Sequence, residues 1–216
     1  MQNKNDADKP EKSYHTATLD ERSAERNPFA QFRLWFDETL DSGFTEPRAM
    51  NLATLSHTGA ISSRMVLLKE FDESGFVFFT NYNSDKAQDL HATRIAALCF
   101  WWDKLYRQVR ISGRVEKIPS SDSAEYFHSR PRGSQLGALA SQQSQVIEGY
   151  SVLENAYQHL EQRYQGQEIP YPEHWGGYRV IPDQFEFWQG RPNRLHDRIR
   201  YTPASTGEWK LERLSP

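Results

Sequence analysis

The stretch "WQGRPNRLHDRIRY", residues 188–201, places Arg194, His196, Arg198 and Arg200 at every second position, with Leu195 and Ile199 between them. Alternate side chains of a strand share a face, so the spacing predicts one basic and one largely apolar face. A basic face serves as a solvated edge, a nucleic-acid surface or one wall of an anion pocket. Trp188 offers a flat aromatic surface just before it. Neighbouring guanidinium groups oppose protonation of His196. A neutral, hydrogen-bonding imidazole beside them suits an anionic or electron-rich planar ligand. Asp197 falls on the opposite face with Leu195 and Ile199, where a carboxylate needs a partner.

Further segments combine cations with hydroxyls or aromatics. In "SSRMVLLKE", Arg64 and Lys69 are five positions apart, so an ideal strand puts them on opposite faces. They serve different groups, or sit where the strand ends or bulges. Two solvated charges is the plainer reading, and the apolar run around Arg64 favours function there. In "TNYNSDKAQDL", Thr80 closes a strand and Ser84 or Asp85 can cap the helix that follows. Amides at a helix N-terminus attract anions, and Lys86 in the first turn opposes the helix dipole unless an anion is present. In "YFHSRPRGSQLG", Tyr126 and Arg130 lie near a helix end that Pro131 stops, followed by Gly133 and Ser134. Guanidinium and hydroxyl groups around a turn suit a phosphate. Taken alone, a helix terminus or an interaction surface uses the same residues more often.

These side chains need a frame. Asn27 as N-cap, Pro28 at N1 and Gly43 as a stop predict a helix in "NPFAQFRLWFDETLDSG", with Phe29, Phe32, Phe36 and Leu40 on its buried stripe. Strands are predicted at "AMNLATLS", "AISSRMVLLKEF", "GFVFFTN", "IAALCFWW" and "LYRQVRISGRVEKI", the first three separated by the turn signals "HTG" and "DESG". Helices are predicted at "SDKAQDLHA", at "SDSAEYFHS" (where Asp122 and Glu125 have capping-box spacing) and over about 147–165, with Tyr150, Leu153, Tyr157, Leu160 and Tyr164 on one stripe. Strand candidates return at "YRVIPDQFEFWQG", "RLHDRIRY" and "EWKLERL". The fold class is mainly β with helices (α+β), an antiparallel sheet or small barrel with peripheral helices. Residues 1–26 have no apolar period and read as a mobile arm; 27–216 read as a single domain.

The bulk numbers narrow the chemistry. A net charge of −3 argues against nucleic-acid binding through bulk charge, so any anion binding is local. Aromatic residues reach 13% and carry much of the burial. The single cysteine, Cys99, cannot form an internal disulfide, and no Cys/His metal spacing exists; a small buried hydrophobe is the plain reading. "MQNKNDADKPEKS" lacks the apolar core of a signal peptide, and no apolar run approaches membrane-spanning length, so a cytoplasmic protein is the expectation. There is no Ser-His-Asp order, P-loop or G-x-G-x-x-G. Anion sites and aromatic faces without a nucleophile or a metal set point to an enzyme whose cofactor carries the chemistry.

At this point the residues resemble a known family, the FMN-dependent pyridoxine/pyridoxamine 5′-phosphate oxidases. The resemblance spans roughly 27–216. It rests on "RMVLLK" (64–69), "FFTNYNSDKA" (78–87), "RQVRISG" (107–113), "YFHSRPRGSQLGA" (126–138), "SQQS" (141–144) and "FWQGRPNRLHDR" (187–198). It implies an FMN-binding split β-barrel and a homodimer with FMN at the subunit interface, residues 174–216 forming the C-terminal dimerisation and active-site segment. Residue by residue, it implies that Arg64 and Lys86 hold the FMN phosphate, that Val66, Leu67, Lys69, Phe79 and Thr80 line the cofactor, and that Gln108 meets the flavin ring. Gln143 and Ser144 would reach FMN from the second subunit, with Trp188 and Arg198 as further contacts. Lys69, Tyr126, Arg130 and Ser134 would cradle the substrate's 5′-phosphate. Arg194 and His196, the catalytic pair, would hold the pyridine ring against the flavin. The implied reaction oxidises pyridoxine or pyridoxamine 5′-phosphate at C4′ to pyridoxal 5′-phosphate. Hydride passes to the flavin, and dioxygen reoxidises it to give hydrogen peroxide.

The chain departs from the family pattern at two places. Asp85 stands where the family has an Arg facing the FMN phosphate, and Glu11 stands where a basic residue of the substrate lid is expected, although Tyr14 and Leu19 keep register. Glu46 retains an acid that the family places near its active site. Two other readings stay open: a split-barrel flavin reductase with another substrate, and a non-catalytic carrier of FMN or pyridoxal phosphate.

Overall fold

The structure is a computed structural model and describes residues 17–205 and 207–216. Glu11 and Tyr14 lie outside the described residues. The chain order is α1 (Pro28–Asp41), β1 (Ala49–Leu55), β2 (Ile61–Leu67), β3 (Glu70–Asp72), β4 (Gly75–Asn81), α2 (Asp85–Thr93), β5 (Ile95–Trp102), β6 (Arg107–Lys117), α3 (Ser120–Ser129), α4 (Arg132–Ala140), α5 (Tyr150–Arg163), β7 (Trp175–Gln189), β8 (Asp197–Pro203) and β9 (Trp209–Arg213). The strands hydrogen-bond in the order β2-β1-β5-β6-β7-β4-β3, with β8 pairing β7 and β9 pairing β8. The hairpins β1/β2, β3/β4 and β8/β9 are antiparallel, as are β4/β7 and β7/β8.

Helix α1 starts where its capping signals put it. Asn27 Oδ1 accepts the Phe29 N–H at 2.8 Å, and Pro28 fills the first helical position. Ser42 caps the other end, and Gly43 turns away at φ +66°. The buried stripe runs through Phe29, Phe32, Trp35, Phe36 and Thr39. Leu40, expected on it, is 49% exposed, because Trp35 and Thr39 pull the centre of the stripe to the other side of Phe36.

The structure corrects several boundaries. "AISSRMVLLKEF" is two strands, β2 and β3, because the chain changes partner between them: Leu68 N–H bonds Arg48 O, and Lys69 N–H bonds Val77 O, both at 2.9 Å. Helix α3 begins at Ser120 behind Pro119, so Asp122 sits inside the first turn and makes no capping box. Helix α3 ends at Ser129, before Pro131, as expected of a stop, and Pro131 is also the N-cap of a helix not expected from sequence, α4. Helix α5 buries no residue completely: Tyr150 is exposed, and Tyr157, Leu160 and Tyr164 pack partly against Phe127, Leu136, Ile169 and Trp175. Strand β8 begins only at Asp197. Arg194 lies in a 3-10 turn after Pro192 with a left-handed backbone, φ +60°, so the supposed basic face is divided between turn and strand.

Packing divides the chain into two units. The first holds the described residues up to Pro47, Leu98–Ile111 and Asp183–Pro216. Its core sets the aromatic face of α1 against strand aromatics: Phe32 meets Phe100 edge-on at 5.1 Å, Trp35 meets Phe187 at 5.3 Å, and Phe29 meets Phe185 at 5.1 Å. Residues 17–26, assigned to a mobile arm from sequence, belong to this packing. Leu19 and Ala24 are buried, and Arg213 of β9 binds both Leu19 O and Glu21. The polar composition hid these anchors.

The second unit holds Arg48–Ala97 and Ser112–Pro182. It contains the β1/β2 hairpin, β3, β4, the helices α2 to α5, and the start of β7. Gly113, from "RISG", is required by close strand packing: a Cβ there would collide with the carbonyl of Ile181.

Candidate active site

The second unit encloses a cavity of about 570 Å³. Its wall includes Val66, Leu67, Lys69, Phe79, Thr80, Lys86, Tyr126, Arg130, Ser134 and Gln143, all expected from sequence. Strand ends supply the first five, and the α2, α3 and α4 termini with the following loop supply the rest. Phe79 stacks on Tyr126 with centroids 4.0 Å apart and on Trp175 at 5.2 Å. Gly177 permits this, since a Cβ there would press on the Phe79 ring at 3.1 Å.

Arg130 is the C-cap of α3, and its Cζ lies 4.6 Å over the Trp175 ring. Its Nη1 is buried without a hydrogen-bond partner. Burial holds its pKa below the ordinary value, with the Tyr126 hydroxyl acting the other way. A desolvated guanidinium with an unsatisfied donor beside Lys69, Tyr126 and Ser134 fits an anion with several acceptor oxygens.

A second cationic group adjoins it. Lys86 Nζ donates to Gln143 Oε1 at 2.6 Å and to Thr80 Oγ1 and Ser84 Oγ at 3.2 Å. Arg64 donates to Thr54 Oγ1 at 2.7 Å and to Ser62 Oγ, and Thr54 donates in turn to Asp89. Burial lowers the pKa of both cations; Arg64 further lowers that of Lys86, and Asp85 raises both. Lys86, in the first turn of α2, has its charge disfavoured by Arg64 of β2, and the pair suits a dianion. Asp85 is exposed at the first position of α2, and its N–H donates to Ser144 Oγ at 3.2 Å. Ser84, not Asp85, is the N-cap. Gln143 and Ser144, expected from a second subunit, meet Lys86 and Asp85 within the same chain, because the loop after α4 returns to the start of α2. Lys86 and Thr80 both donate to Gln143 Oε1, which leaves its Nε2 as a donor for a ligand.

The remaining candidates lie in the first unit. Gln108 on β6 accepts the Cys99 thiol at 3.5 Å, and burial raises the Cys99 pKa. Trp188 on β7 faces the His196 ring with centroids 4.5 Å apart. Arg198 sits opposite Trp188 in the β7/β8 ladder and donates to Glu186 through Nε at 2.9 Å and Nη2 at 2.8 Å. Buried Glu186 also takes Arg110 at 3.1 Å. His196 Nδ1 lies 3.1 Å from the Arg191 backbone N–H. An amide N–H only donates, so Nδ1 accepts, and the neutral ring carries its proton on Nε2. Burial and then Arg194 lower the His196 pKa, against Asp197, which raises it.

The second unit therefore offers two groups of cations and hydroxyls suited to anions and an aromatic wall, and the first unit, taken by itself, a neutral imidazole donor. These suit a phosphorylated planar cofactor and a phosphorylated ring substrate. A family model described as pyridoxamine 5′-phosphate oxidase matches residues 36–164. The chain belongs to the pyridoxamine 5′-phosphate oxidase family. A second model, described as the pyridoxine 5′-phosphate oxidase C-terminal dimerisation region, matches residues 175–216 and supports a dimer. Among similar proteins is a pyridoxine/pyridoxamine 5′-phosphate oxidase from Gloeothece citriformis, 57% identical over 205 residues, covering 95% of this chain and 96% of that one. A chloroplastic oxidase from Arabidopsis thaliana is 51% identical and covers 94% of this chain but 39% of its own length. Among solved structures, PhzG from Burkholderia lata in complex with tetrahydrophenazine-1-carboxylic acid matches with a TM-score of 0.88 at 27% identity, covering 94% of this chain and all of that one. A pyridoxamine 5′-phosphate oxidase-related, FMN-binding protein from Nostoc punctiforme shares the fold, with a TM-score of 0.70 at 17% identity over 86% of this chain and 97% of its own. The antiparallel split-barrel class expected from sequence is borne out.

The sequence reading missed Trp175 and Glu186. "HWGG" carried a signal for the first, since a Trp before paired glycines marks close aromatic packing. Alternation within "QFEFWQ" carried one for the second, because Glu186 shares a strand face with Trp188.

Proposed function

We propose that the chain oxidises pyridoxine 5′-phosphate and pyridoxamine 5′-phosphate to pyridoxal 5′-phosphate, with FMN as cofactor, dioxygen as the final acceptor and hydrogen peroxide as co-product. The observation that carries this reading is Arg130, a cation over Trp175 whose buried Nη1 has no acceptor, in a cavity that also presents Lys69, Tyr126 and Ser134. Bound FMN supplies the hydride acceptor and passes the electrons on to dioxygen.

The chain's own residues bind, orient and exclude water. Arg64, Lys86, Gln143, Ser144 and Thr80 hold the FMN phosphate, with Val66, Leu67 and Phe79 along the cofactor. Lys69, Tyr126, Arg130 and Ser134 hold the substrate's 5′-phosphate. Gln108, Trp188 and Arg198 are further FMN contacts. Arg194 and His196 hold the pyridine ring, His196 donating from Nε2. Positioning and fixed charge supply most of the rate.

The working form is a cytoplasmic homodimer with FMN at the subunit interface. Supporting this is the sheet-edge strand β2, which exposes Ile61 at 78% and Met65 at 62% beside Arg64 and suits burial by a second copy. Among the described residues no helix is long and apolar enough to cross a membrane. The test is the visible spectrum of the purified protein, followed by pyridoxine 5′-phosphate in air. Peroxide together with a pyridoxal phosphate chromophore is the expected result. A yellow protein that turns over only with a nicotinamide donor, or one that binds without turnover, would overturn the reading.

A further inference from the structure

Asp197 lies between His196 and Arg198 and is the meeting point of a network that neither ligand site needs. Its Oδ2 accepts the Leu19 N–H at 3.2 Å and faces Arg191 Nε at 3.5 Å, and its Oδ1 accepts Arg213 Nη1 at 3.0 Å. Arg213 also donates to Leu19 O at 3.0 Å and to Glu21 at 2.6 and 2.8 Å. Arg191 donates from Nη1 to Ala17 O at 3.2 Å. The backbone from Ala17 to Glu21 is therefore gripped by Arg191 on one side and Arg213 on the other, with the Asp197 carboxylate bridging the two guanidinium groups and Leu19 buried beneath. Arg191 is the residue whose backbone N–H fixes Nδ1 of His196. Between Arg191 and His196 the chain makes a turn in which Asn193 and Arg194 hold left-handed backbone, φ +57° and +60°. An arginine adopts that conformation against its steric preference, although an asparagine tolerates it, so the turn at Arg194 needs outside restraint.

We infer that Asp197 is a positioning residue for His196, clamping the Ala17–Glu21 segment and Arg191 together so that the imidazole keeps one orientation and one tautomer. The inference rests on His196 being a substrate contact, as proposed above. Arg191 is held at three points: its Nε by Asp197, its Nη1 by Ala17 O, and its own N–H by His196 Nδ1. Removing the Asp197 charge releases Arg191 Nε and Arg213 Nη1 and breaks the bridge between them, leaving Arg213 on Glu21 and Leu19 O and Arg191 on Ala17 O, and the less restrained turn then relaxes from its left-handed conformation. The Nδ1 acceptor contact is lost, and the imidazole samples both tautomers and more than one ring orientation. The clamp touches no reacting atom.

The test uses the FMN-loaded enzyme and the variants Asp197→Asn, Glu21→Gln and His196→Ala. Asp197→Asn keeps one acceptor oxygen for the Leu19 N–H, removes the charge, and turns the other oxygen into an NH2 donor that cannot accept from Arg213. It should lower kcat roughly tenfold, since sub-ångström misplacement of a reacting group is enough for that, while leaving the FMN dissociation constant unchanged. In 15N-histidine NMR, the His196 signal should move from the Nε2–H tautomer toward a mixture. Glu21→Gln, at the exposed end of the network, folds normally and should move both readouts the same way by a smaller amount. A His196 signal and kcat unchanged in Asp197→Asn would overturn the clamp, even if the variant were less stable. If His196→Ala itself keeps full turnover, the assignment of the site fails, and the tautomer shift alone then decides the clamp.

Discussion

Arg130 stacks over Trp175 with its Cζ 4.6 Å from the ring, and its Nη1 is buried with no acceptor. The ring takes one face of the guanidinium and so keeps its edge turned to the cavity, where a phosphate can take several N–H donors at once. Arg130→Met should therefore raise KM for pyridoxine 5′-phosphate by about tenfold to a hundredfold, the range expected for losing charge-assisted hydrogen bonds worth about 1.5–3 kcal/mol. Binding of FMN should change little. Steady-state kinetics beside a flavin titration checks both. An unchanged KM would move the substrate phosphate elsewhere.

Asp85 raises the pKa of both Arg64 and Lys86, so its charge is felt at the cations proposed for the FMN phosphate. A bound dianion feels the same carboxylate as repulsion. Asp85 does not turn away as an N-cap, because Ser84 holds that position. Asp85→Arg should tighten FMN binding roughly fivefold at low salt, as expected for an exposed charge reversed near a dianion, and the gain should shrink as salt screens it. Equal FMN dissociation constants for the two proteins at low salt would defeat the idea.

The pH dependence follows from His196. Its pKa in the folded chain lies below the ordinary 6.5, through burial and Arg194. The neutral form is therefore the working form at neutral pH. Activity should fall on the acid side as pH drops through that lowered pKa. The sign for stability is the same: below pH 6.5 the unfolded chain takes up the proton before the folded chain does, so this contribution is lost as pH falls toward the folded pKa. Arg194→Ala removes the repelling charge, so the acid limb of its kcat/KM profile should move to higher pH. A limb that stays in place would mean that another group titrates.

Local chemistry made much of this legible. Asn27, Pro28 and Gly43 bounded α1 because capping is decided within a few residues, and "GFVFFTN" and "IAALCFWW" were strands on pattern alone. Of the residues lining the 570 Å³ cavity, Lys69, Thr80, Lys86, Tyr126, Arg130 and Ser134 stand out as hydroxyl and cation clusters, while Val66, Leu67, Phe79 and Gln143 followed only from the family resemblance. What escaped depended on partners distant in sequence. Leu40 was lost from the α1 stripe because Trp35 and Thr39 answer to strands that α1 cannot specify. Arg194 and His196 alternate with Arg198 in sequence, yet Pro192 and two left-handed residues keep them off the strand. The alternation that puts Glu186 on the face of Trp188 does not name its partner, and only the pairing of β7 with β8 brings Arg198 to it. Residues 17–26 looked structureless because their anchors, Asp197 and Arg213, come some 180 residues later.

Cys99 gives the contact beside Gln108 a chemical consequence. A thiolate is the form that attacks a peroxide oxygen, displacing hydroxide to give the sulfenic acid, and burial keeps the pKa of this thiol raised, so at neutral pH it stays protonated. On the proposed reaction, which releases hydrogen peroxide at every turnover, the one cysteine is carried in the form least open to that oxidant. Prolonged turnover without catalase should leave Cys99 unmodified by mass spectrometry. Sulfenic or sulfinic acid there would contradict this. Self-inflicted oxidation then has no foothold at the side chain beside Gln108.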